Sequence, residues 1–272
     1  MQKITEQPSR HRDLEHKSIE EITRSINQED ATVAEAIREA LPAVNRLIGA
    51  IVARMKEGGR LFYVGAGSGG RLSVLDVIEL PTTYGVPKGQ VIAVLAGGMS
   101  RLVEALEEKE DDREDAWEQL RAENVSPGDM VVGISASGTT PFVLAGLEAC
   151  RVHHITTGCI VSNPGSPIAD AADYPVEVIT GPEFITGSTR MKCGTAQKML
   201  FDMISTTVMI QLGRVEDNQM VHVQLINDKI LDRGVRMLMG RSGITDYEEA
   251  RRRLLEYGSV RKALDHLDHP VN

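Results

Sequence analysis

The chain has 272 residues, enough for one large domain with appendages and a sizeable core, which excludes a peptide-sized or disulfide-held scaffold. Its 30 Lys+Arg stand against 39 Asp+Glu, a net charge of -9, so neither nucleic acid nor a membrane is expected as a partner, and any anionic ligand must be held by local geometry. Aromatic residues, at 4%, leave few rings on which bases could stack.

Along the chain, the N-terminal run MQKITEQPSRHRDLEHK carries charges throughout and no apolar stretch, and the protein is read as cytoplasmic. Val33, Ile37, Leu41, Val44, Leu47, Ile48 and Ile51 then recur at helical spacing, with Pro42 as an expected kink or break. Short apolar runs follow at 60–67, 90–97, 129–135, 155–162 and 174–179, alternating with helical stretches. Continuous runs of this kind are what strands buried on both faces look like, so the fold class is α/β with a mainly parallel sheet in a three-layer sandwich. After Gly187 the pattern is helical again, and the segment beginning Asp246-Tyr247 reads as two short polar helices in a small bundle. The organisation expected is an N-terminal helical extension over 1–50, a core domain over 51–214 and a C-terminal helical region over 215–272. Cys150, Cys159 and Cys193 are odd in number and far apart, as expected of reduced thiols. The adjacent His153 and His154 would point to opposite faces of a strand, so no metal site is expected.

Two loops carry the chemistry. Gly65-Ala66-Gly67-Ser68-Gly69-Gly70-Arg71 lies between a predicted strand and a predicted helix, where free N–H groups and the helix dipole can hold a phosphate. Its glycines also fit a dinucleotide fingerprint, but that pattern needs an acidic residue about 20 positions on, and Leu80 to Val103 contains no Asp or Glu. Ser135-Ala136-Ser137-Gly138-Thr139-Thr140-Pro141 is placed in the same way and offers four hydroxyls. Ser and Thr also cap helices, so one such loop would be ambiguous. Two of them at the carboxyl ends of parallel strands favour a phosphorylated small molecule in the crevice there.

These loops resemble the sugar isomerase (SIS) domain, whose phosphosugar loop has the form Ser-x-Ser-Gly-x-Thr, matched by Ser135, Ser137, Gly138 and Thr140. The segments GAGSGGRLSVLDVIELPTTYGV, GISASGTTPFVLAGLEAC and GPEFITGSTRMKCGTAQKMLFDMISTTVMIQLGRV resemble the N-acetylmuramic acid 6-phosphate etherases, a family related to the glucokinase regulatory protein. The resemblance runs from about Ile4 to about Leu264, and Gly187-Ser188-Thr189-Arg190-Met191-Lys192 is its most diagnostic part.

The resemblance implies a dimeric enzyme of cell-wall recycling that needs no cofactor and removes D-lactate from a phosphorylated amino sugar, by elimination and then hydration. By the family match Glu79 is the acid that protonates the departing lactyl oxygen, and its neighbours Val77, Ile78 and Leu80 would keep its carboxyl protonated. Glu107 matches the base at C2; without the family it would read as part of a solvated acidic helix face. Ser68, Gly69, Ser135, Ser137, Thr139 and Thr140 are expected at the phosphosugar, with Ser188, Arg190 and Lys192, while an ion pair is an equal alternative for each cation.

Some positions depart from the family pattern. The usual Gly-Thr-Ser-Gly-Arg loop lacks its second hydroxyl at Gly69, Leu80-Pro81-Thr82 stands for Cys-Pro-Pro, and Glu-Gly-Ala-Glu-Asp has become Glu107-Glu108-Lys109-Glu110-Asp111. An unbroken helix from Gly69 to Glu79 would put that carboxyl roughly 15 Å from the glycine loop. Either the helix bends or Glu79 serves a site at the interface with a second subunit. Another phosphosugar isomerase and a non-catalytic phosphosugar regulator remain as alternatives.

Overall fold

The computed structural model describes residues 3–103, 107–225 and 227–268, without the side chains of Arg101, Glu107 and Asp268. Five strands, β1 (Leu61–Gly65), β2 (Val91–Leu95), β3 (Met130–Ser135), β4 (Thr156–Val161) and β5 (Tyr174–Glu177), form one parallel sheet in the order β2-β1-β3-β4-β5. Each of the five predicted apolar runs contains one of them. Among the described residues the helices are α1 (Ile19–Asp30), α2 (Val33–Lys56), α3 (Gly67–Tyr84), α4 (Asp115–Ala122), α5 (Pro141–Val152), α6 (Pro167–Ala171), α7 (Lys192–Gln211), α8 (Asp228–Ser242), α9 (Tyr247–Tyr257) and α10 (Val260–Asp268).

Alternate residues of a strand face opposite sides, and both sides of this sheet are covered. Phe62, Val64 and Val131 pack with Ala116 and Leu120 of α4 and Phe142 and Leu147 of α5. On the other side Tyr63 meets the Phe201 ring of α7 edge-on at 5.1 Å, and α2 lies along β5. This is the expected three-layer α/β sandwich. Burial pushes the thiols of Cys150, Cys159 and Cys193 up to about 12, so all three are inert core side chains.

The expected break at Pro42 does not occur: α2 runs through it. Pro42 stands on the exposed face, where water can satisfy the carbonyl that the ring leaves without a donor, while Val44, Leu47, Ile48 and Ile51 hold the buried face on the sheet. The helix after β1 is likewise unbroken from Gly67 to Tyr84, past Pro81.

The chain divides into two compact units. The first runs through Asp76 and resumes from Gly89 to Ile204; the second takes Val77–Lys88 and the residues from Ser205 onward. The second unit has its own core, in which Val221 packs with Val235 and Leu238 of α8, Leu254 of α9 and Val260 and Ala263 of α10.

Candidate active site

Chain order 2-1-3-4-5 reverses direction between β1 and β3, and a crevice opens outside the carboxyl ends of strands at such a switch point. Register aligns the two ends: Gly65 pairs with Ile134, so the glycine loop after β1 and the hydroxyl loop after β3 emerge side by side. Between them lies a cavity of about 340 Å³ whose lining residues all belong to the first unit.

The hydroxyl loop is held by its own bonds. Ser135 Oγ accepts from the Gly138 N–H at 3.0 Å and pairs with Thr140 Oγ1 at 2.9 Å. Gly138 has φ +71, and a Cβ there would stand 2.3 Å from Ser166 Oγ, so only glycine fits the turn. From the far side Asn163 donates to the Ser137 carbonyl and to Thr5 Oγ1, and takes the Thr5 N–H on its Oδ1. Asn163 thus ties the loop to the N-terminal segment, which brings Glu6 to the cavity. Thr140 precedes α5 but makes no side-chain cap bond, so its hydroxyl is spent on the loop and the cavity and not on the helix.

Opposite stands the first turn of α3, whose N–H groups at Gly67, Ser68 and Gly69 have no acceptor within the helix by position. Glu110 lies over this turn, with Oε1 only 2.7 Å from where a Cβ on Gly67 would stand; Gly67, at φ +54, is the residue that makes room. The cavity therefore joins an anion-holding wall of amides and hydroxyls to a carboxylate. Arg71 is the one Lys or Arg lining it among the described residues.

Of the residues expected at the phosphosugar, Ser68, Gly69, Ser135, Ser137 and Thr140 come together here. Thr139 does not line the cavity and bonds Ser137 Oγ from its own N–H and hydroxyl. Ser188, Arg190 and Lys192 also lie outside the lining, and Arg190 is exposed. Lys192 follows the alternative of an ion pair: it is 2% exposed and its Nζ is 2.5 Å from Glu29 Oε2, an acid 163 positions away. Burial alone would raise the Glu29 carboxyl, but hydrogen bonds from Lys192 and His11 outweigh it and lower its pKa. The turn into α7 is closed by buried Glu183, which accepts the N–H groups of Lys192 and Cys193 at 2.8 and 2.9 Å.

Of the two expected acid–base residues only Glu79 has a described side chain, and its setting differs from the apolar enclosure expected of it. Glu79 is exposed, beside an Ile78 that is 56% exposed, so in the single chain no apolar enclosure surrounds its carboxyl; it does not line the cavity. Glu107 opens the 3-10 turn Glu107–Asp111, and its side chain lies outside the described residues. Glu110, at the other glutamate of the same Glu-x-x-Glu pattern, is the one lining the cavity. Glu6, Arg71, Thr189 and Gln197 also line it and were not singled out in the sequence, although Arg71, Thr189 and Gln197 sit inside quoted segments.

The N-terminal SIS domain of the glucokinase regulatory protein is matched over residues 43–151 and the SIS domain over 100–207. An N-acetylmuramic acid 6-phosphate etherase of Porphyromonas gingivalis is 55% identical over 262 residues, 96% of this chain and 95% of that protein. The chain belongs to this etherase family. Etherases of Bacteroides fragilis and Cronobacter sakazakii are 52% and 45% identical, over 97% and 87% of this chain and 93% and 80% of theirs. Among solved structures, phosphoheptose isomerases of Francisella tularensis and Neisseria gonorrhoeae superpose with TM-scores of 0.54 each at 17% identity, covering 73% and 70% of this chain and 100% and 98% of theirs. At that identity the likeness speaks for the fold. No described helix of this etherase-family chain is long and apolar enough to cross a membrane.

Proposed function

We propose that the chain cleaves the lactyl ether of N-acetylmuramic acid 6-phosphate to N-acetylglucosamine 6-phosphate and D-lactate, with Glu110 as the base. The observation that carries this reading is the Glu110 carboxylate in one cavity with two phosphate-type loops, in a chain of this family. The phosphate lies against the α3 turn and the hydroxyls of Ser68, Ser137 and Thr140. In the open-chain aldehyde Glu110 removes the C2 proton. The C3–O bond then breaks, and its electron pair leaves with the lactyl oxygen, which takes a proton from an acid. Water adds at C3 of the unsaturated aldehyde while a proton returns to C2, and two carboxyl groups suffice for these transfers. Arg71 supplies the cation for one of the two anionic ends of the substrate. The setting is cytoplasmic, a reducing compartment in which the three cysteines stay thiols.

The test is incubation with N-acetylmuramic acid 6-phosphate in heavy-oxygen water. Free D-lactate and label at C3 of the sugar are expected. A folded protein that releases no lactate overturns the etherase reading, whereas label in the lactate alone overturns elimination.

We assign the leaving-group acid to Glu79, acting in the site of a second subunit. Its exposure, without an apolar enclosure in the single chain, supports this reading. Glu79→Gln and Thr140→Val are each expected to lose activity, and dimers mixed from the two variants are expected to regain part of it. No recovery in demonstrably mixed dimers would refute a shared site.

A further inference from the structure

We infer that Gln197 is a ligand-contacting residue whose side-chain amide donates to the phosphate of the bound sugar. The inference rests on the phosphosugar reading of the cavity and adds a residue of α7 to it. Gln197 is 2% exposed, lines the cavity, and has no hydrogen-bond partner on Nε2 among the described residues. A dry, unsatisfied amide donor is costly, and proteins seldom keep one unless something completes it. Here a phosphate oxygen would complete it.

Its amide group packs beside the turn that would hold the phosphate. Gln197 Oε1 lies 3.0 Å from where a Cβ on Gly69 would stand, so the amide group reaches the first turn of α3. The N–H groups of Gly67, Ser68 and Gly69 in that turn are the ones free to hold an anion. A side chain at position 69 would meet both Gln197 Oε1 and Ile134 Cγ2, the latter at 2.9 Å. The glycine that removes a hydroxyl from this loop therefore leaves room for an amide from another element. A neutral donor suits the place: it bonds an anion without bringing a second cation beside Arg71, while Glu110 stands over the same turn.

Gln197→Met keeps the length of the side chain and removes the unsatisfied donor. The variant is expected to be at least as stable as the parent to heat. It is also expected to bind N-acetylglucosamine 6-phosphate and inorganic phosphate about tenfold to a hundredfold more weakly in calorimetry. Gln197→Glu, which turns a carboxylate toward the phosphate, is expected to bind more weakly still. A purely structural Gln197 gives the opposite pattern, lower stability with unchanged affinity, and that result overturns the inference. Should the Met variant not fold, Gln197→Leu also removes the donor without touching the glycine loop and is expected to weaken phosphate binding; unchanged affinity there also overturns it. If phosphate affinity depends on Gln197 but no lactate is ever released from N-acetylmuramic acid 6-phosphate, the phosphate contact stands and the etherase reading falls.

Discussion

Glu110→Gln is expected to lower lactate release by about 10²–10⁴, the usual contribution of a positioned acid or base, while the fold and the affinity for N-acetylglucosamine 6-phosphate are retained. The amide has the shape of the carboxylate and can occupy the same place over Gly67, but it cannot accept the C2 proton. A second readout isolates the step. The parent enzyme should exchange the C2 hydrogen of N-acetylglucosamine 6-phosphate with deuterium from the solvent, because the reverse of hydration begins with the same proton transfer. Glu110→Gln should lose this exchange together with turnover. The comparison with Glu107→Gln decides between the two glutamates of the Glu-x-x-Glu pattern. Full activity in Glu110→Gln with loss in Glu107→Gln would return the base to Glu107.

The second large effect is on stability. Asp129→Ala is expected to cost about 3–5 kcal/mol, the range for removing one partner of a buried charge pair. The Asp129 side chain is 3% exposed and holds the starts of β1 and β3 together: it accepts from Arg60 N at 2.8 Å, from Arg60 Nη2 at 2.9 Å and from Ser126 N at 2.8 Å. Arg60 also donates to the carbonyls of Glu123 and Asn124 and lies over the Phe62 ring, contacts that hold it in place to meet the carboxylate. Burial by itself would raise the Asp129 carboxyl, yet the bonds from Arg60 and Ser126 together with the Arg60 charge hold its pKa below the usual value. A carboxyl depressed in the folded state contributes stability that is complete above the unfolded value of about 4 and is lost as pH falls through the lower folded value. The gap between parent and Asp129→Ala in denaturant midpoint should thus be full at neutral pH and close progressively below about pH 4. A gap that does not change with pH would mean that packing, not charge, holds this corner. At the other end of the same two strands Gly65 pairs with Ile134, where the two loops emerge.

What was legible in the sequence was local. The strands could be read because a strand buried on both faces must be apolar throughout, whatever it packs against. The two loops could be read because a glycine at positive φ and hydroxyls at short spacing act over a few residues, as the Ser135–Gly138 and Ser135–Thr140 bonds do. Lys192 could not be read, because its partner Glu29 is brought to it by the packing of α1 against a distant turn. Pro42 misled for a related reason: propensity favours a break, and burial along the whole of α2 overrides it.

By itself, then, the sequence determined the α/β class, two glycine- and hydroxyl-bearing loops at strand ends, the etherase kinship and a net charge of -9. Only the tertiary structure placed a carboxylate, Glu110, in the cavity that both loops line. Glu107 and Glu110 stand in one acidic run of the sequence, and it is the Glu110 carboxylate that the structure shows over Gly67 in the first turn of α3. It likewise decided that an unremarked glutamine on α7 faces the cavity while the conspicuous lysine at the start of that helix is buried in an ion pair. Composition and spacing fix what a segment can do chemically; the direction in which a side chain points is settled by contacts between residues far apart in the chain.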